Sequence, residues 1–353
     1  MVINIINKTK GKDMNIVKSI LIIVLLIPQV AEAIYRVYSG NMGDNKVEFY
    51  LFAISDSNFH IIYIEDKTKK IEYMGAPKKI GNDYHFENYT TIDTVNNNDT
   101  LIIKNFDFSF NKVNSDNNEL FGYSQIFGDF KLEKKFEYNI EWENGDDRNW
   151  KDSKQLFDNI EFKNVEFLQM NSTKDFYFKV ILSKKKKEDI KITGINVYSK
   201  KSGELLQTIK SSKGYIFHTF QAIRIGDFDF DGNKNDFSLN NSESYAANVP
   251  QLYYIYDESQ NKYIEANLEG YSIQFDSENK IATSTKTCGD VVIYSSNVLL
   301  KKLYYFNNKE KKYTYIDKYC EAIPDGVNYY LRQCTKKERL DCEKAVVEVG
   351  DEP

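Results

Sequence analysis

The residues with the clearest chemical spacing lie in "IRIGDFDFDGNKNDFSL", Ile223 to Leu239. Asp227, Asp229 and Asp231 alternate, Gly232 follows, Asn233 and Asn235 come next, and Asp236 closes the run. Carboxylates at alternate positions before a glycine converge when the glycine turns the chain sharply. That is how hard oxygen donors are gathered around Ca2+. Asn233 would add a backbone carbonyl, and either Asn235 or Asp236 would complete the shell. Without a cation the neighbouring carboxylates repel one another, so the alternative to a metal loop is a solvated acidic turn. An EF-hand does not fit: Ser238 stands where that loop needs its closing Glu, and the flanks do not read as helices.

Other chemical constellations are missing from the chain. There is no G-x-S-x-G elbow, no P-loop, no H-E-x-x-H and no G-x-G-x-x-G. His60, His85 and His218 are isolated in sequence and read as structural or surface residues. Asp and Glu are abundant, yet no spacing singles out a pair for glycoside hydrolysis. Binding is therefore the better expectation than catalysis, and no catalytic residue is assigned. A second candidate is "SSKGY", where Ser212, Gly214 and Tyr215 could form an exposed partner loop. Its plainer reading is a hairpin turn. "KKKK" at Lys184 to Lys187 reads as a solvated loop.

The elements that must position these residues are strands. Tyr and Phe, 26 and 23 of 353 residues, favour pleated, half-buried surfaces, and Pro is scarce. "TLIIKNFDFSFNKV" alternates Phe106, Phe108 and Phe110 with polar residues, the period of a half-buried strand. Short aromatic runs recur to about residue 320, separated by Asn, Asp, Lys and Gly. "YYIYDESQNKYIEA" and "YYFNNKEKKYTYID" echo each other as strand, polar turn and strand. The expected fold is all-β: an antiparallel N-terminal β domain over 34–150, then a propeller-like or sandwich β domain over 151–335. The polar stretch "ENGDDRNWKDSK" marks the boundary, and a charged tail follows from Lys336. The formal net charge of −5, from 47 basic and 52 acidic residues, argues against a general nucleic-acid binder.

Two features point to an oxidising compartment. "MNIVKSILIIVLLIPQVAEA" from Met14 has a basic start, an apolar core and Ala31 and Ala33 flanking Glu32, the pattern of a signal peptide cut after Ala33. Met14 then reads as the true start, and the apolar run is short for a spanning helix. Cys288, Cys320, Cys334 and Cys342 are an even set suited to two disulfides. Spacing alone favours Cys288–Cys320 with Cys334–Cys342, the second pair closing a short loop. Zinc is a weak alternative, since no CxxC or nearby His is present.

The Asp-rich run, the "YYIYDESQNKYI" hairpin after it and the late Cys-plus-"YYF" hairpins together resemble a family of bacterial periplasmic immunity proteins. These are lysozyme-inhibitor-like proteins with a D-F-[DN]-F-D-G calcium loop. The loop also resembles the D-x-D-x-D-G-x-x-D loops of β-propeller blades. The resemblance is best over roughly Ile190 to Cys320. It implies a propeller-like β fold, a structural Ca2+ on Asp227, Asp229, Asp231 and Asp236, and a protein partner that is a cell-wall hydrolase or toxin, blocked sterically. It carries over no inhibitory residue. Without a lipid-anchoring Cys, the mature chain is expected to be a soluble periplasmic or secreted protein. Carbohydrate binding or adhesion, and a carboxylate-dependent hydrolase, are the other functions considered.

Overall fold

The computed structural model describes residues 31–344 except 56–57, 76, 82, 96–97, 112–117, 144–153, 157–159, 187, 218–219, 241–249, 269, 289–297 and 323–330. The expected signal segment up to residue 30 and most of the expected domain boundary fall outside the described residues. Of the signal segment, Ala31–Ala33 form the start of the first strand and pair with Trp142, Glu141 and Ile140.

The fold is all-β and antiparallel. Its first sheet contains β1 (Ala31–Met42), β2 (Asn45–Ser55), β3 (Asn58–Glu65), β4 (Ile71–Gly75), β5 (Lys78–Ile80), β6 (Asp83–Val95), β7 (Asn98–Asn111), β8 (Glu119–Ser124), β9 (Gly128–Glu143) and β10 (Lys154–Leu156). Neighbours in sequence are neighbours in the sheet, with β5 beside β6, and β1 also pairs with β9 along its whole length. The sheet thus curls back onto its own first strand. β4 meets β6 through Tyr73 and Thr90.

This curl is written in the period of the sequence. On β2, Val47, Phe49, Leu51 and Ala53 point inward, where they meet Phe108, Phe110, Leu120 and Leu132. Tyr50 and Phe52, on the other face, join a second core outside the curl. Both faces are apolar because both are covered, and each buried side chain contributes on the order of 1.5–3 kcal/mol.

The second half is three meanders in succession. The first is β11 (Phe162–Leu168), β12 (Phe176–Lys184), β13 (Lys191–Ser199) and β14 (Leu205–Ile216). The second is β15 (Ile223–Gly226), β16 (Asp236–Asn240), β17 (Gln251–Asp257) and β18 (Lys262–Glu265). The third is β19 (Gln274–Asp276), β20 (Ile281–Cys288), β21 (Val298–Asn307), β22 (Lys312–Ala322) and β23 (Arg332–Gln333). Tyr35, Tyr50 and Tyr138 of the first sheet share one core with Phe167, Phe178, Phe237 and Tyr254 of the first two meanders. β17 is buried on both faces: Leu252 and Tyr254 belong to that core, while Tyr253 and Ile255 meet Tyr304, Phe306 and Tyr313 of the third meander. A partly buried ion pair also crosses from the first sheet, with Lys179 Nζ 2.6 Å from Glu48 and 3.5 Å from Glu166. Burial opposes the charge on Glu48, but Lys179 and the Tyr50 hydroxyl outweigh it and hold the carboxyl below its ordinary value.

Three sequence expectations change. Lys184 is not solvated: it is buried at the end of β12, donates to the carbonyl of Ile160 at 3.1 Å and lies over the Tyr138 ring. "SSKGY" is not a hairpin turn. It lies within β14, where Lys210 pairs with Gly194 and Tyr215 with Ile192, so Ser211–Gly214 bulge out opposite a single residue. The cysteines pair as Cys288–Cys342 and Cys320–Cys334, each with Cα atoms 5.4 Å apart. Proximity in sequence misleads here because helix α1 (Lys336–Lys344) separates Cys334 from Cys342. At 1.5 Å per helical residue the two stand roughly 10 Å apart, beyond disulfide reach. β23 instead lays Cys334 beside Cys320, and α1 carries Cys342 onto the end of β20. Thr335 and Glu338 start α1 with a reciprocal capping box. The two disulfides fit an oxidising, extracytoplasmic compartment. Among the described residues no helix is long and apolar enough to cross a membrane.

Candidate metal centre

The Asp-rich run forms the loop between β15 and β16, whose ends are paired by Gly226 and Asp236. Gly232 turns the chain with φ of 90°, and Phe230 also sits in the left-handed region at 60°. That conformation is unfavourable for a bulky residue. Packing holds it: Phe230 lies against Phe275, Phe306 and Tyr313, and Phe228 against Tyr253 and Phe275. The Tyr313 hydroxyl donates to the carbonyl of Phe228. The alternation that presents the aspartates on one side thus drives two aromatic rings into the core on the other.

The loop brings together Asp227, Asp229 and Asp236, with one carboxylate oxygen from each lying within 4.8 Å of the others. Asp229 and Asp236 are buried. Asp236 accepts backbone N–H bonds from Phe228 at 2.8 Å and Tyr256 at 2.9 Å. The N–H groups of Asp231 and Gly232 fold back onto Asp227. The expected ligand Asp231 stays apart from this group: its carboxylate is exposed and accepts from the backbone and side chain of Asn233. Asp236 completes the group of carboxylates. Asn235 gives its carbonyl to the Tyr263 hydroxyl at 2.7 Å, and its buried side-chain oxygen has no hydrogen-bond partner.

Burial pushes the Asp236 carboxyl up to about 8, and Asp229 adds to the rise. Burial also raises Asp227 and Asp229. Lys311 brings an ammonium 2.8 Å from Asp229. An all-oxygen set with an orphaned buried amide oxygen beside it fits a hard divalent cation, which takes six to eight oxygens. Asp227, Asp229 and Asp236 would hold it.

No family model and no curated protein matches this chain.

Beside the cluster lies a cleft of about 400 Å³, lined by Asp231, Tyr256, Glu258, Ser259, Lys309 and Lys311 among others. Three tips build it: the Asp loop, the β17–β18 turn and the β21–β22 turn. The last two are the turns of the two sequence echoes, which is the signal that could have found them. Nothing in the sequence marks Lys311 as the partner of Asp229, 82 residues away. Of the histidines, His60 shares a 2.5 Å hydrogen bond with the Tyr73 hydroxyl, His85 lies on β6 and His218 falls outside the described residues.

A cation held by this group would bind with a pH dependence set by the raised carboxyl. The folded value exceeds the unfolded one, so without a cation the contribution of Asp236 to stability is full below the ordinary carboxylate range. It is lost as pH rises through about 8. A cation needs the deprotonated form. Calcium affinity is therefore expected to rise with pH up to about 8 and then level off. Near neutral pH about one proton should leave per ion bound. Calorimetry in two buffers of different ionisation enthalpy measures this directly; release of no proton contradicts it.

Proposed function

We propose that the protein is a non-enzymatic binding protein of the periplasm or extracellular space that blocks a peptidoglycan hydrolase or toxin. A structural Ca2+ orders the Asp loop, and the loop and the two hairpin turns form the recognition surface. The observation that carries this reading is the convergence of three tips on one cleft lined by both charge signs, Asp231 and Glu258 facing Lys309 and Lys311. Mixed charge on rigid turns suits orientation-specific docking to a protein, where complementary potentials set specificity. A loop held beforehand by a cation loses less freedom on docking. The two disulfides and the resemblance of the Asp loop and Tyr-rich hairpins to immunity proteins support the compartment and the partner class.

The test titrates the purified mature chain, with calcium, against peptidoglycan hydrolases encoded beside it. Stoichiometric inhibition, weakened by the double charge reversal Glu258→Lys and Lys309→Glu, is the expected result. Clearing of a peptidoglycan zymogram by the chain alone would overturn the reading in favour of a hydrolase. Retention on insoluble peptidoglycan without any hydrolase inhibition would overturn it in favour of a glycan-binding module.

A further inference from the structure

We propose that the third meander and α1 form a reversible docking face for an anionic phospholipid surface. The face lies apart from the Asp loop and the cleft, and it does not depend on the function proposed above.

The first observation is a charge asymmetry. Residues 281–344, which run from β20 to α1, hold 12 basic and 8 acidic residues. Their net charge is +4 in a chain whose total is −5. A part of a chain that opposes the sign of the whole is suited to an anionic surface.

The strands concentrate that charge. Lys302 on β21 stands directly opposite Lys318 on β22 and opposite Ser284 on β20. Lys286 is two residues along β20 from Ser284, so the three lysines share one face of the sheet. Like charges opposed across a ladder are destabilising. The fold offsets two of them at α1: Lys318 reaches Glu343 at 2.8 Å, and Lys286 donates to the carbonyl of Cys342 at 3.0 Å. Lys302 is exposed and has no ion-pair partner among the described residues. On the other face of the same strand the charge is paired, Lys301 with Glu321 at 2.6 Å. Burial, with the neighbouring Lys302 ammonium, also holds Lys286 below its ordinary value.

The helix extends the face. Lys337, Leu340 and Lys344 recur at the spacing of one helix side, and all three are exposed. Leu340 is one turn before Glu343, which meets Lys318, so this side borders the lysine row. Apolar residues stand among the charges. Ile316 is the extra residue of a bulge on β22 and is 50% exposed. Tyr315 is 51% exposed and lies edge-on to Tyr304, two residues along β21 from Lys302.

This mixture selects the partner. Scattered exposed apolar side chains mean little alone. Set among lysines they match a bilayer surface, where ammoniums meet phosphate oxygens and rings and aliphatic chains sit at the headgroup level. A nucleic acid would use the charge but leave Ile316 and Leu340 in water. Lys302 is also about 17 Å along β21 from Asn307, where the cleft turn begins, so face and cleft can be occupied together.

The test is co-sedimentation of the purified mature chain with vesicles of phosphatidylcholine, alone or with about 30% phosphatidylglycerol. Partition into the anionic vesicles is expected to be about ten-fold stronger or more, and to fall as salt is raised. Lys302→Glu with Lys337→Glu should bring the two vesicles to equal partition. Lys163→Glu with Lys186→Glu makes the same change in net charge at exposed positions of the first meander, and should keep the preference within about two-fold. Ile316→Ser keeps the charge and should weaken partition about three-fold or more. Equal partition of wild type into both vesicles, a preference that survives Lys302→Glu with Lys337→Glu, or an equal loss in the control pair would each overturn the proposal. Duplex DNA held as tightly as the anionic vesicles, or partition unmoved by Ile316→Ser, would overturn the lipid assignment. Should the double variant not fold, Lys302→Gln alone decides: a loss of about five-fold supports the face and no loss sinks it.

Discussion

Asp236→Ala is expected to destabilise the fold by roughly 2–6 kcal/mol, because two buried N–H groups, those of Phe228 and Tyr256, lose their acceptor at roughly 1–3 kcal/mol each. The same change should lower calcium affinity by roughly 100-fold or more, since it removes one of the three converging carboxylates that would hold the ion. The two effects separate experimentally. Denaturant unfolding in chelator reads the hydrogen bonds alone, and unfolding in excess calcium adds the linkage between binding and stability. Wild-type protein should gain stability from calcium and the variant should not. Asp231→Ala is the matched control. Its carboxylate is exposed and serves only Asn233, so its stability should change by no more than about 0.5 kcal/mol. A large stability loss in Asp231→Ala beside a silent Asp236→Ala would reverse the assignment of the innermost carboxylate.

The contrast between Asp236 and Asp231 marks what a sequence can hold. Spacing identified the loop, because its carboxylates are local in the chain: Asp227 and Asp229 are both carried by one turn. Period identified the strands, because alternation such as Phe106, Phe108 and Phe110 is a direct consequence of the pleat. Spacing could not say that Asp231 turns outward, since that depends on which N–H groups fold back onto Asp227. Nor could it supply Lys311, which reaches Asp229 only because β17 packs one face against the third meander. The cleft was half legible. The two echoing hairpins were visible as a repeat in texture, but their meeting at one rim is a property of the packed sheets. "SSKGY" failed for a related reason: a run of small residues reads as a turn, while pairing on both sides keeps it inside β14.

The cysteines make the same point with a measurable consequence. Opening Cys288–Cys342 is expected to cost more than opening Cys320–Cys334, because the first closes a loop of 54 residues and the second one of 14. Loop-closure entropy gives about 4 kcal/mol for the longer bridge and about 3 kcal/mol for the shorter. The longer bridge also fastens α1, whose Cys342 packs with Val298, Leu300 and Ala322. Loss of Cys288–Cys342 should therefore release the helix and expose that small core, adding to the entropic loss. The shorter bridge joins β23 to β22, two strands that already share backbone pairing, so its removal leaves local contacts in place. The paired serine variants, Cys288→Ser with Cys342→Ser and Cys320→Ser with Cys334→Ser, isolate each bridge without leaving a lone thiol. Thermal unfolding ranks them, and non-reducing peptide mapping of the wild type reports the pairing itself. A Cys334–Cys342 peptide, or a greater loss from the shorter bridge, would show that α1 does not carry Cys342 to β20, and the account of the third meander would fall with it.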